Sequence, residues 1–220
     1  MLRKKTVTKC LACGTHTTEI KDPQFDLLYD YCPHCLFTQK QSQFHLNTAD
    51  EKDQYDRHQN SFDNAGYVAM LQTFLDQSVL PHKSQGNALD FGSGPGPVLF
   101  ELLKHNGFKA FHFDLFYHND LNVWDRHYAV ITSTEVFEHL ADPNHVFSQL
   151  YHHLEPGGIL AIMTLFRPEK SEAFNTWWYR RDPTHISFYT EKALRYFADN
   201  HGFKKVNTNH KNMMTLMKVM

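Results

Sequence analysis

Long hydrophobic runs are absent from this 220-residue chain. No apolar stretch approaches the ~20 residues that a membrane-spanning helix needs. The first residues, Met1 to Thr6, carry positive charge but have no apolar segment behind them, so they do not resemble a secretion signal. We therefore expect a cytoplasmic protein that does not insert into a membrane.

A large excess of charge of either sign is also missing, since 22 Lys and Arg residues stand against 24 Asp and Glu residues. In the first 40 residues, six basic side chains accompany four acidic ones, and no basic stripe with interleaved aromatic residues is present. A nucleic-acid-binding module usually carries such a stripe. Nucleic acid is therefore a disfavoured partner, and a small molecule is the expected one.

Cysteine is absent after residue 35, and the four cysteines before that point form two C-x-x-C pairs, Cys10 with Cys13 and Cys32 with Cys35. Each pair offers two thiolates from one tight turn, so two pairs complete a tetrahedral zinc shell. The alternative, two disulfides, needs an oxidising compartment that nothing else in the sequence indicates. We predict a zinc site with a structural role, because about 40 residues build too small a hydrophobic core.

Three glycines alternate in one short stretch, as Gly92, Gly94 and Gly96. The apolar run from Asn87 to Phe91 before them predicts a buried strand of a parallel sheet, and the apolar run after them predicts a helix. A strand, a glycine loop and a helix in this order form a nucleotide-binding unit. Its acidic partner is Asp114, which closes the next apolar run and is placed to accept hydrogen bonds from ribose hydroxyls.

The rest of the pattern alternates strands with helices, as an α/β fold requires. It predicts a helix at Ser61–Gln77, strands at Ala110–Asp114, Tyr128–Ser133 and Ile159–Leu165, helices from Asp142 to His153 and from Thr190 to His201, and a closing hairpin of Lys204–Asn207 and Met214–Val219. A polar linker is expected at Gln39–Asp50, and a short strand at Leu121–Val123.

The spacing G-x-G-x-G, with Asp90 inside the strand before it, resembles motif I of class I S-adenosylmethionine (SAM)-dependent methyltransferases. The cysteine pairs, the stretch Glu51–Asn60 and the segment Asp182–Phe188 extend the resemblance to a bacterial zinc-knuckle group of that superfamily. The resemblance implies an α/β fold with a Rossmann-like, seven-stranded, mostly parallel sheet and an antiparallel C-terminal strand. It places a zinc-knuckle domain at residues 1–44 and a methyltransferase domain at 45–220, in which 45–80 form a helical cover.

The same resemblance implies SAM as a cofactor beside zinc. The SAM-binding residues that it implies are Asp90, Gly92, Ser93, Gly94, Gly96, Asp114, Leu115, Asn122, Thr134 and Glu135. Asp90 either orders the glycine loop or reaches the amino group of SAM through water. Leu115 or Phe116 flanks the adenine ring, and Asn122 or Asp120 contacts its amino group.

A base is useful for an oxygen or nitrogen acceptor, and His185 is the leading candidate because an imidazole titrates near neutral pH. It lies in an irregular segment beyond the carboxyl end of a strand, where such folds place substrate contacts. The alternative is a histidine that only fixes its loop by hydrogen bonds. His139, in the first turn after a strand, is expected instead to pack beneath the cofactor.

Aromatic and basic residues cluster around the same segment and predict an acceptor pocket. The candidate residues are Tyr55, His58, Trp178, Tyr179, Arg180 and Arg181, of which the two arginines are suited to an anionic group. The alternative is that these aromatic side chains belong to the core.

Together these features predict a SAM-dependent methyltransferase that acts on an oxygen or nitrogen atom of a small-molecule, sugar or lipid-like acceptor. Two alternatives use the same residues differently. One is an RNA methyltransferase that binds RNA through its zinc module, and the other is a non-catalytic module that only binds SAM.

Overall fold

The computed structural model describes residues 8–57 and 60–219, and the described chain begins with a module built around the four cysteines. Its sheet consists of three short antiparallel strands, β1 (Thr18–Lys21), β2 (Leu28–Tyr31) and β3 (Thr38–Lys40). The sulfur atoms of Cys10 and Cys35 lie 3.5 Å apart, and those of Cys13 and Cys32 lie 3.4 Å apart. All four thiols are free, and their grouping suits a tetrahedral zinc ion.

Two helices connect this module to the large sheet, α1 (Thr48–Tyr55) and α2 (Ala65–Ser78). The stretch from Gln39 to Asp50, predicted as a linker, begins inside β3 and ends inside α1. The helix predicted from Ser61 begins later, because the Asn64 side chain accepts a hydrogen bond from Tyr67 N and caps the helix there. Within residues 8–57 and 60–219, every helix is too short or too polar to span a bilayer.

The remaining elements alternate in the predicted order. They are β4 (Asn87–Phe91), α3 (Val98–His105), β5 (Lys109–Phe113), β6 (Tyr128–Thr134), α4 (Pro143–His153), β7 (Leu154–Met163), α5 (Ser171–Thr176), β8 (Ser187–Phe188), α6 (Glu191–Asn200), β9 (Phe203–Thr208) and β10 (Met213–Lys218). In the large sheet β5, β4, β6 and β7 are parallel neighbours, β10 is antiparallel to β7, and β9 pairs antiparallel with β10. The predicted α/β sheet of mostly parallel strands with an antiparallel C-terminal strand is confirmed.

The large sheet has six strands in the described part of the chain, whereas seven were expected. The strand predicted at Leu121–Val123 is replaced by a 3₁₀ turn over Leu121–Asp125. The Asp120 side chain accepts a hydrogen bond from Asn122 N at 3.0 Å and caps that turn. The chain therefore returns from β5 to β6 without adding a strand at the sheet edge.

Side chains of the parallel strands point alternately to the two faces of the large sheet, and each face carries its own core. Leu89, Ile131 and Leu160 belong to one core, whereas Ala88 and Val130 belong to the other. This double burial explains why the strands read as continuous apolar runs in the sequence.

The cysteine module shares the first of these cores. Phe37 packs against Tyr189 and against Phe197, with ring centroids 5.2 Å apart in both pairs. β3 also pairs antiparallel with β8, and the Thr190 hydroxyl donates to the Cys35 carbonyl oxygen at 2.8 Å. The cysteine module therefore holds the chain around residues 187–190 in place.

The cysteine cluster predicts close to one zinc ion per chain in protein purified without added metal. Replacing Cys10 and Cys32 by serine removes one thiolate from each pair and should abolish zinc binding. It should also lower the unfolding temperature, because zinc-binding energy is folding energy in such modules. Elemental analysis and thermal unfolding measure the two effects.

A variant that carries His16→Ala and His34→Ala is the matched control, and it should keep its zinc because four thiolates already complete the shell. Thiol titration that finds two disulfides in place of four thiols would contradict the zinc assignment.

Candidate functional site

A cavity of about 730 Å³ lies at the carboxyl ends of the parallel strands, where open α/β sheets bind ligands. We call the part lined by the loops after β4 and β5 the glycine-loop end, and the part lined by α1, the turn after β6 and the segment 178–185 the acceptor end. Its carboxylates are Glu51, Asp90, Asp114, Glu135 and Asp182, whereas no Lys or Arg of the described residues lines it. The cavity therefore favours a cationic or neutral ligand over an anionic one.

The glycines in the loop after β4 allow a ligand in this cavity to approach the backbone closely. Gly92 has a φ of +78°, and a Cβ at this residue would lie 2.2 Å from Val136 Cγ2. Ser93 and Gly94 line the cavity with it. Gly96, also predicted to bind the cofactor, is not among the lining residues. A Cβ on Gly96 would lie 1.7 Å from the Asn60 carbonyl oxygen, so this glycine is needed for chain packing.

The Asp114 carboxylate orders the loops around the cavity. Its Oδ2 accepts a hydrogen bond from Gly94 N at 2.9 Å, and its Oδ1 accepts from Phe116 N at 2.9 Å and from Tyr117 N at 3.2 Å. A carboxylate offers about four acceptor positions, so one remains for a ligand hydroxyl.

Asp90 lies inside β4, and only 2% of its surface is exposed, although it borders the cavity. The Thr132 hydroxyl donates to its Oδ1 at 3.3 Å. Burial raises the pKa of the Asp90 carboxyl group to about 7. At neutral pH this group can therefore donate as well as accept a hydrogen bond.

Leu115 and Phe116 both line the cavity beside Asp114, and Leu115 is 65% exposed. An apolar ring could pack against either side chain. Asn122 and Asp120 do not line the cavity, because the Asn122 amide donates to Asp120 Oδ1 at 2.6 Å within the exposed 3₁₀ turn. The expectation that one of these two residues contacts an adenine amino group therefore finds no support in the lining of the cavity and stays a prediction.

β6 ends in Thr134, and Glu135 follows it with an unusual φ of +53°; both line the cavity. The Tyr179 hydroxyl lies between two carboxylates, 3.0 Å from Glu135 Oε2 and 2.5 Å from Glu138 Oε1. Burial raises the pKa of both glutamates, and the two carboxylates lie close enough to raise the Glu135 pKa further. One hydroxyl proton thus serves two acidic groups, of which Glu138 is buried and Glu135 is accessible from the cavity.

His185 lines the cavity but is 7% exposed. Its Nδ1 donates to the Tyr179 carbonyl oxygen at 2.7 Å, which leaves Nε2 as the unprotonated nitrogen, 3.9 Å from Asp182 Oδ2. Burial, together with the nearby His139 ring, lowers the pKa of His185 to about 4, so the imidazole is neutral at pH 7. The hydrogen bond to the Tyr179 carbonyl oxygen fixes the loop that carries His185, and the ring also lines the cavity.

His139 borders the cavity beside His185, and its expected position beneath a cofactor stays a prediction. The two rings meet edge to face with centroids 4.9 Å apart. His139 Nδ1 lies 3.0 Å from the Thr184 carbonyl oxygen and must donate to it, and burial lowers the pKa of this ring as well. Two neutral imidazoles therefore stand side by side.

Of the predicted acceptor residues, Tyr55, Trp178 and Tyr179 line the cavity, and Trp178 is 65% exposed. His58 lies outside the described residues. Arg181 is exposed and does not line the cavity. These positions favour the pocket interpretation for the three aromatic side chains.

Arg180 is the clear correction to the predicted acceptor pocket. Its side chain is 1% exposed and forms an ion pair with the equally buried Asp22. Its Nε donates to the Phe174 carbonyl oxygen at 3.1 Å and to that of Asn175 at 2.9 Å. With its donors used in this way, Arg180 anchors the wall of the pocket and has no face for an acceptor.

Several lining residues were not predicted from the sequence. They are Glu51, Asn60, Tyr67, His145, Gln149 and Asp182. Tyr67 sits in α2 and His145 and Gln149 sit in α4, and no motif distinguishes them from other helix residues. Asp182 gave a usable signal, because it begins the Asp182–Phe188 segment that carried part of the resemblance.

Residues 65–208 match the family model described as "Methyltransferase domain", which covers well over half of the 220 residues. No curated protein sequence matches the chain.

Two solved structures show the same fold. Magnesium protoporphyrin IX methyltransferase from Synechocystis PCC 6803, with bound S-adenosylhomocysteine (SAH), aligns at a TM-score of 0.53 and 13% identity. The alignment covers 80% of this chain and 96% of that chain. Human N-acetylserotonin methyltransferase, in complex with SAM, aligns at a TM-score of 0.51 and 16% identity, over 68% of this chain and 52% of that chain.

The buried ion pair predicts opposite outcomes for two adjacent arginines. Arg180→Ala leaves the Asp22 carboxylate buried without its partner and should lower the free energy of unfolding by about 3–5 kcal/mol. Arg181→Ala, at an exposed position, should change it by no more than about 0.5 kcal/mol. Urea unfolding followed by circular dichroism measures both. If Arg180→Ala were as stable as the wild type, the anchoring role of Arg180 would be wrong.

Proposed function

Because the chain belongs to the methyltransferase-domain family, we propose that it transfers a methyl group from SAM to an oxygen or nitrogen atom of a small-molecule acceptor. The observation that carries this proposal is one continuous cavity, which joins Gly94 and Asp114 at one end to Tyr179 and His185 at the other. A methyl donor and an acceptor can be aligned inside such a cavity. The two similar structures are named for methylation of small molecules, which supports the acceptor class.

SAM supplies a methyl group made electrophilic by a positively charged sulfur. At the glycine-loop end, the residues fit this ligand: the backbone at Gly92 and Gly94 allows close approach, and the remaining acceptor position of Asp114 suits a ribose hydroxyl. Leu115 and Phe116 supply an apolar surface for the adenine ring. The acidic lining favours a cationic cofactor.

At the acceptor end, the aromatic side chains of Tyr55, Trp178 and Tyr179 suit an acceptor with a flat apolar body. An oxygen or nitrogen acceptor loses a proton during methyl transfer, and His185 is placed at this end with an unprotonated Nε2. The acceptor end therefore contains the residues that orient an acceptor and handle its proton.

The RNA alternative receives less support. No Lys or Arg among the described lining residues is available for a phosphate backbone, whereas ionised acidic side chains such as Asp182 would repel one. The cysteine module, which that alternative assigns to RNA, packs through Phe37 into the core of the large sheet. A small acceptor without negative charge fits this cavity better.

Binding of SAH, the demethylated product of SAM, tests the cofactor half of the proposal. Asp114→Ala removes the ribose acceptor and releases Gly94 N and Phe116 N, so the affinity for SAH should fall tenfold or more, as expected for a lost charge-assisted contact of roughly 1.5–3 kcal/mol. Isothermal titration calorimetry measures the affinity.

Asp125→Ala is the matched control, because Asp125 is exposed and does not line the cavity, and its affinity should equal that of the wild type. Wild-type protein that binds neither SAM nor SAH would refute the proposed function. Incubation with SAM and a panel of phenols and amines, followed by mass spectrometry, then identifies the acceptor.

A further inference from the structure

Glu138, His139 and His185 meet beside the acceptor end of the cavity, which the two histidines line while Glu138 lies buried behind them. Each offers one potential ligand atom, and these three atoms lie within 4.8 Å of one another. Glu138 and His139 belong to a 3₁₀ turn after β6, whereas His185 precedes β8. Among residues 8–57 and 60–219, only the four cysteines form another such group. The fold thus brings together three side chains that are typical metal ligands.

Both histidines are held in the orientation that metal ligands need. Nδ1 of His185 donates to the Tyr179 carbonyl oxygen, and Nδ1 of His139 donates to that of Thr184. A backbone acceptor on one ring nitrogen fixes the ring and directs the lone pair of the other nitrogen to a ligand. Nε2 is therefore the free donor atom on each ring.

Glu138 supplies the oxygen. The residue is fully buried, and its Oε1 accepts from the Tyr179 hydroxyl. Its Oε2 makes no hydrogen bond of normal geometry with the described residues, although the side chains of Thr164 and Glu135 lie near enough to interact with this carboxyl group. An unpaired carboxylate oxygen in a buried place is costly unless a cation or a proton compensates it. One oxygen of Glu138 is thus oriented by Tyr179 while the other remains available.

In the described ranges, the acidic side chains around Glu138, His139 and His185 are not balanced by basic ones. Glu135 and Glu138 share the Tyr179 hydroxyl, and no Lys or Arg in the described ranges forms an ion pair with either carboxylate. Asp182 adds a third acidic side chain within 3.9 Å of His185 Nε2. A bound cation would supply the positive charge that these acidic groups lack.

We propose that Glu138, His139 and His185 bind a divalent transition-metal cation, whose open positions face the cavity and receive an oxygen atom of the acceptor. Two imidazoles and one carboxylate are a donor set that suits Mn²⁺, Fe²⁺, Co²⁺ or Zn²⁺. The proposal rests on the proposed function, because it gives the acceptor a metal-binding oxygen, as in a phenol or catechol.

The cation defines how His185 contributes. Ligand atoms bonded at about 2.0–2.2 Å to one ion lie closer together than 4.8 Å, so the three side chains close slightly around it. A cation at this point would hold the acceptor oxygen and lower its pKa, so that its proton passes to bulk water before the methyl group is transferred. His185 would then act as a metal ligand, and this role replaces the proton acceptor that the proposed function without a metal assigns to it.

Mn²⁺ is the probe that tests this site, because it prefers oxygen and nitrogen ligands and leaves the thiolates to zinc. Zinc-loaded full-length protein should bind about one Mn²⁺ per chain in addition, as measured by calorimetry and by loss of the free-ion electron paramagnetic resonance signal. His139→Ala and His185→Ala should each weaken this binding at least about tenfold. Glu138→Gln, which keeps the shape of the side chain, should do the same.

His105→Ala is the matched control, since His105 is exposed at the end of α3 and outside the cavity, and it should bind Mn²⁺ like the wild type. SAH affinity, measured on every variant, shows that the fold and the cofactor end are intact. Wild-type protein that binds SAH but no Mn²⁺, Co²⁺ or additional Zn²⁺ would overturn the metal site and leave the proposed function standing. Equal Mn²⁺ binding in the histidine variants would also overturn it.

Discussion

Two-residue strands such as β8 do not persist alone, and β8 exists because β3 of the cysteine module pairs with it. The Lys40 backbone amide donates to the Ile186 carbonyl oxygen at 2.7 Å, and its ammonium donates to that of Pro183 at 2.8 Å. These bonds hold both sides of His185. Together with the buried pair of Asp22 and Arg180, they make the cysteine module the support for the segment that lines the acceptor end, so its contribution reaches beyond its own stability.

The two ends of the cavity are built differently. The glycine-loop end is supported by β4, β5 and β6. These strands follow one another along the chain and pair as part of a buried parallel sheet. The opposite end is assembled from segments far apart in sequence, including α1, the turn after β6 and the stretch that carries Tyr179. Because the two ends are built from different segments, the acceptor end can change while the sheet that supports the glycine-loop end stays the same. One fold can therefore serve many different acceptors.

Local signals account for what the sequence predicted well. The four cysteines, the glycine loop and Asp114 follow from spacing over a few residues, and the apolar runs located the strands. Arg180 could not be placed in this way, because its partner Asp22 is 158 residues distant. The strand expected at Leu121–Val123 failed because one capping side chain, Asp120, favours a turn that hydrophobicity alone does not indicate.

The close contact between Gly96 and Asn60 restricts which substitutions can arise at position 96 during evolution. The chain before α2 crosses the glycine loop so closely that the Asn60 carbonyl oxygen occupies the space of any side chain at position 96. A lineage that replaces Gly96 must first reroute or shorten the segment around residue 60, so the order in which these changes arise is constrained. Alignments of such chains should therefore show a non-glycine residue at 96 only together with a length change before α2.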